Sequence, residues 1–200
     1  MEVIAFSDLH GALPEVAALP DADAVLIAGD ITNIGTDFWP GVTAAQIWME
    51  ALQARYKTVL WVPGNHDIGM TPELLPGHCL LDNPVLLGSQ RIAGIALSCC
   101  FDFPELKRYW VHMTDNPAVD AAAFVALPPC DVLVSHSPPL GCRDKTHSGA
   151  RIGSPGLRAY IEREAPQLVL CGHCHEAHGE EWLGKTRVIN LADGGRLLRL

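Results

Sequence analysis

The sequence predicts an α/β fold, and two observations predict it. Short, almost wholly apolar runs recur along the chain, each followed at once by polar, often Gly-bearing residues. Between these runs lie segments with helical patterning. Runs of this length, rich in Val, Ile and Leu, suit strands buried on both faces. Strands alternating with helices are the pattern of an α/β domain.

The strand runs are Val3–Phe6, Ala24–Ala28, Val59–Val62, Val132–Val134 and Leu168–Leu170. A helix is expected over about residues 43–56, where Ala44, Ile47, Trp48, Ala51 and Leu52 follow i, i+3, i+4, i+7 and i+8. Asn116 before Pro117 reads as an N-cap and first helical position, opening a helix that runs to about Leu127. Ser154-Pro155 repeats that signal, and its helix should stop before Pro166. Arg91–Ser98 and the tail Arg187–Leu200 read as further strands, the tail as a hairpin through Asp193-Gly194-Gly195. No internal repeat or linker-like stretch divides the chain, so one domain over residues 1–200 is expected.

Composition narrows the function classes. Hydrophobic residues make up 48% and charged residues 18% of the 200 positions, which excludes a disordered or coiled-coil chain. No apolar run approaches the roughly 20 residues that span a bilayer. The start, MEVIAFSDLHG, has no basic region and reads as a first strand rather than a signal peptide. A net charge of −9 offers no electrostatic footprint for duplex nucleic acid. Seven cysteines form no disulfide framework, and buried thiols in a cytoplasmic protein are the expectation.

The chemistry lies just after the strands. Asp8 and His10 follow the first, Gly29-Asp30 the second, and Gly64-Asn65-His66-Asp67 the third. Ser135-His136 follows the fourth, and Gly172-His173-Cys174-His175 the fifth. Strand carboxyl ends are where open α/β sheets bind ligands. Carboxylate, imidazole and carboxamide groups gathered there suit a first-row transition metal. Singly, Asp-x-His is also a polar pair in a turn, and Gly-Asp is also ordinary turn chemistry. The combination carries the reading, because five of the nine histidines share this strand-end setting.

In these blocks the chain resembles the calcineurin-like metallophosphoesterases, whose motifs are Asp-x-His, Gly-Asp-x-x-(Asp/Asn), Gly-Asn-His-(Asp/Glu), a lone His and Gly-His-x-His. All five occur in order, and the resemblance covers residues 3 to about 191. SHSPPLG (135–141) and GSPGLRAYIE (153–162) are also similar to small members related to the metallophosphoesterase-domain phosphodiesterases. Asn33 stands where many members have Asp.

The resemblance implies a four-layer α/β/β/α sandwich of two mixed sheets with outer helices. It also implies a site for two divalent transition-metal ions (Mn, Fe, Ni or Zn). By that resemblance Asp8, His10 and His175 would hold one ion, Asn65, His136 and His173 the other, and Asp30 both. A bridging hydroxide would attack a small phosphoester, most simply a diester such as a cyclic nucleotide. His66 would be the catalytic imidazole, with Asp67 orienting it through a hydrogen bond.

Residues 142–154 (CRDKTHSGARIGS) could place Arg143, His147 or Arg151 over a phosphate, or could be a solvated surface loop. The helix N-terminus at Ser154 would favour an anion. The aromatic segment 99–113 carries no assigned site. Three other functions compete. A phosphomonoesterase or phosphoprotein phosphatase of the same fold would need added cations beside the metals. A non-catalytic scaffold would have lost ligands that are present here. Cys171-Gly172-His173-Cys174 resembles a disulfide-isomerase tetrad, but no helix pattern follows it.

Overall fold

The computed structural model describes residues 1–33, 38–67, 72–81, 84–96, 98–99, 113–114 and 116–200. In chain order the first half holds β1 (Glu2–Phe6), β2 (Ala24–Ala28), α1 (Phe38–Arg55), β3 (Val59–Val62), β4 (His78–Cys79), β5 (Val85–Leu87) and β6 (Gln90–Ile95). Two-residue strands β7 (Ser98–Cys99) and β8 (Met113–Thr114) follow, then α2 (Pro117–Ala126), β9 (Val132–Ser135) and α3 (Pro155–Glu164). The chain continues through β10 (Leu168–Cys171), β11 (Gly179–Leu183), β12 (Thr186–Asn190) and β13 (Gly195–Arg199).

Two mixed sheets form the centre. The first has the order β13-β1-β2-β3-β4, parallel except for β13. The second has the order β11-β12-β10-β9-β6-β5, parallel inside with antiparallel strands at both edges. Strand alternation builds the layers. Val3 and Ala5 of β1 join Leu26, Val62, Val134, Leu170 and Ile189 in a core between the sheets. The intervening residues Ile4 and Phe6 pack outward with Val25, Ile27 and Trp61 against α1. On the far side Leu133, Val169 and Val188 meet Phe124 of α2 and Leu157, Tyr160 and Ile161 of α3. Three apolar interfaces thus hold four layers, and each fully buried Val, Leu or Ile contributes about 1.5–3 kcal/mol. No described helix is long and apolar enough to cross a membrane.

The caps agree with the sequence. The Asn116 side chain accepts a hydrogen bond from Ala118 N, and Ser154 Oγ accepts one from Leu157 N. The helix from Ser154 ends at Ala165, in the left-handed region, just before Pro166. Other expectations need correction. Helix α1 starts five residues earlier than expected and is turned relative to the expected stripe. Val42, Ala45, Trp48, Met49 and Leu52 are buried, whereas Ile47 is 62% exposed. Met49 and Val42 fill more volume against the sheet than Ala44 and Ala51 would. The tail is not a hairpin, because β12 and β13 belong to different sheets. Asp193-Gly194-Gly195 carries the chain from one sheet to the other. Strand β6 ends at Ile95, short of Ser98. Of the aromatic segment, residues 100–112 lie outside the described residues.

Candidate metal centre

Strands β1, β2 and β3 of one sheet and β9 and β10 of the other end at the same edge of the sandwich. Asp8, His10, Asp30, Asn65, His66, His136, His173 and His175 all follow these ends. The backbone there is unusual. Asp8 (φ 55°), His10 (47°), Asp30 (55°) and His173 (68°) all occupy the left-handed region, at a cost of about 1–2 kcal/mol each. Strained conformations of this kind cluster at sites where side chains must converge.

They do converge. His175 Nε2 lies 3.1 Å from His10 Nε2 and 3.0 Å from Asp8 Oδ1. Ligand atoms of Asp8, His10 and His175 fall within 4.8 Å of one another, as do those of Asp8, Asp30 and His136. His136 Nδ1 sits 2.8 Å from the Ala28 carbonyl, which can only accept, so that nitrogen carries the proton. This bond aims Nε2 at Asp30 Oδ2 (3.3 Å) and Asn65 Oδ1 (2.9 Å). The His173 ring lies 5.1 Å from that of His136, and its backbone N–H donates to the Asp8 carboxylate.

The glycines of the motifs are required by this packing. A Cβ on Gly172 would overlap the Asp8 carboxylate and Ser7 Oγ, and one on Gly64 would overlap the Asp30 carboxylate. A Cβ on Gly29 would come within 2.7 Å of His136 Nδ1. Ser7 was not legible as a site residue, yet its buried hydroxyl donates to Asp8 Oδ2 at 2.6 Å. Asn190 was also missed; its amide donates to the Cys174 carbonyl at 2.9 Å and so holds the turn between His173 and His175.

The donor set fits a cation. Asp8 and Asp30 are buried carboxylates, and among the described residues their ion-pair partners are histidines, with no Lys or Arg. Burial opposes their ionisation, but neighbouring imidazoles, His175 and His136 for Asp8 and His136 for Asp30, hold both below the usual carboxylate range. Burial alone would lower His136, but the Asp30 carboxylate outweighs it and raises the imidazole to about 10. Nitrogen and oxygen lone pairs facing one another over buried charge call for a proton or a metal between them. Borderline nitrogen with hard oxygen suits Mn, Fe, Ni or Zn.

The expected contact between Asp67 and His66 is not formed. Asp67 is fully buried, but its four hydrogen bonds come from Ile31 N, Thr32 N, Thr32 Oγ1 and Gly64 N. None reaches the His66 ring. Asp67 instead ties the loop after β2 to the loop that carries His66, whose backbone N–H donates to Asp30 Oδ1 at 2.7 Å. The His66 ring stands edge-on to His10 at 4.7 Å, and His66, His10 and Asp30 form a third group of candidate ligands. Burial and Asp30 push the Asp67 carboxyl up to about 6.

The cationic loop is not brought to the cluster. Arg143 bonds to the carbonyls of His178 and Glu180 and pairs with Glu181. Arg151 donates to the buried Asp144 at 2.6 Å, and the largely exposed His147 pairs with Glu176. At the α3 N-terminus the anion is internal, since Asp120 accepts from Ser154 Oγ and Gly156 N. Cys171 and Cys174 are free, buried thiols, and burial raises both, Cys174 to about 12. They lack the lowered pKa that a reactive dithiol needs.

A model of the calcineurin-like phosphoesterase family matches residues 1–177. The chain belongs to this calcineurin-like phosphoesterase family. It is 28% identical to a UPF0046 protein of Caenorhabditis elegans, covering 96% of this chain and 69% of that one. It is 23% identical to human metallophosphoesterase domain-containing protein 1, covering 94% of this chain and 64% of that one. The chain thus spans about two thirds of the length of these two relatives. The structure of phosphopantetheinyl hydrolase from Mycobacterium tuberculosis superposes with a TM-score of 0.64 at 18% identity, over 94% of this chain and 87% of that one. That likeness is one of fold.

Proposed function

We propose that this phosphoesterase hydrolyses small phosphodiesters, a cyclic nucleotide among the candidates, with two divalent transition-metal ions. In this reading Asp8, His10 and His175 would hold one ion, Asn65, His136 and His173 the other, and Asp30 would serve both. Bound there, the ions supply Lewis acidity toward phosphoryl oxygens and a water of near-neutral pKa. The protein's part is positioning. Ser7 and the His173 N–H fix the Asp8 carboxylate. The Ala28 carbonyl fixes the His136 ring, and Asp67 fixes the turn that presents His66. His66 gives a proton to the leaving alkoxide through its imidazole.

One observation carries the preference for diesters. Among the described residues no Arg or Lys forms a hydrogen bond or ion pair with Asp8, His10, Asp30, Asn65, His136 or His175, and Arg143 and Arg151 are engaged elsewhere. A dianionic monoester gains most from an extra cationic clamp, whereas a monoanionic diester does not need one. Duplex nucleic acid is a poor candidate for a chain of net charge −9. The test compares kcat/KM for bis-p-nitrophenyl phosphate and p-nitrophenyl phosphate with Mn²⁺ added and with a chelator. The diester should be preferred and the chelator should abolish turnover. A monoester preference of about tenfold, or about 1.4 kcal/mol in transition-state binding, would contradict the reading.

A further inference from the structure

The metal centre lies beyond the carboxyl ends of the strands, and the opposite end of the sandwich has its own cavity, of about 290 Å³. Its floor is Val132 and Leu168, the first residues of β9 and β10. Its walls carry Gln90, Gln167, Trp182, Lys185, Arg187 and Arg199, with no Asp or Glu side chain among them. In a chain with 23 acidic and 14 basic residues, three cations line this cavity, and among the described residues Arg187 alone of the three is paired, with Glu180.

Each wall has a chemical preference. Trp182 is 62% exposed, so its indole offers a flat face to an aromatic ring. Arg187 lies opposite it in the β11–β12 register and is held by a two-bond pair with Glu180 (2.8 and 2.7 Å). Lys185 and Arg199 have no side-chain hydrogen bond or ion pair among the described residues and remain available to an anion. The volume falls just below the range of about 300–1,000 Å³ usual for small-molecule sites, and the cavity is open to solvent.

We propose that this cavity is a second binding site, separate from the metal centre, for a nucleoside monophosphate such as AMP. Lys185 and Arg199 take the phosphate and Trp182 stacks on the base. Calorimetric titration of the purified protein with AMP, adenosine and inorganic phosphate tests this. AMP should bind more tightly than either fragment. Trp182→Ala and the double variant Lys185→Gln/Arg199→Gln should each weaken AMP by about tenfold or more, the scale of a lost stacking or charge-assisted contact. Both should keep the wild-type kcat/KM for bis-p-nitrophenyl phosphate, and Trp182→Phe should keep most of the AMP affinity. Absence of AMP binding at millimolar concentration would overturn the proposal. So would affinity unchanged in both variants, or inorganic phosphate binding as tightly as AMP.

Discussion

Gly172, just past β10 in one sheet, leaves no room for a Cβ against the carboxylate of Asp8, just past β1 in the other. The contact locks the two sheets together at the edge where the candidate ligands meet. Gly172→Ala should therefore push Asp8 away from His175 and Ser7. We expect a stability loss of about 1–3 kcal/mol, the usual cost of overpacking, together with loss of bound metal. Elemental analysis and a denaturant melt read both. Full metal content in a folded Gly172→Ala protein would contradict the packing argument.

Asp67 should behave as a structural hub. Each of its oxygens accepts two donors, so Asp67→Ala strands buried groups from two loops and should cost about 2–4 kcal/mol. Asp67→Asn should rescue little, because its NH₂ would face two of the donors. Equal stability of the Asn variant and the wild type, measured by urea unfolding, would refute this.

His66→Ala separates two roles. As the proton donor, His66 can be removed with both metals retained and a loss of about 10²–10⁴-fold in turnover. The loss should be smaller for nitrophenolate leaving groups, which need less protonation. Its place in one group with His10 and Asp30 makes the alternative concrete. Loss of one equivalent of metal from His66→Ala would make it a ligand instead.

The loop arginines should be silent in catalysis. Arg151→Gln breaks a bond to Asp144 and Arg143→Gln frees the carbonyls of β11 and its approach. Both should lower thermal stability while kcat/KM stays within about twofold, well below the tenfold that 1.4 kcal/mol represents. A tenfold rise in KM for either would restore the phosphate-clamp reading.

The legible parts of this protein are those with local signatures. Strands buried on both faces read as apolar runs, and Asp8, Asp30, His136 and the His173/His175 pair announce themselves by following such runs. Strand β11, GEEWL, was not legible because it is an antiparallel edge strand with exposed charges. The tail read as a hairpin because a Gly-rich turn between two strands looks the same whether they pair or part. The bonds of Asp67 and Arg143 escaped for a related reason. Their partners, at Thr32 and Glu180, are 35 and 37 residues away, and side-chain spacing says nothing about so distant a carbonyl or N–H.

The central claim, one carboxylate serving two ions, is tested most directly by metal stoichiometry. The purified protein reconstituted with Mn²⁺ and freed of excess should hold two ions per chain by elemental analysis, and Asp30→Ala should lose both tight sites together. A wild-type content of one ion, or an Asp30→Ala protein that keeps its full complement, would contradict the account.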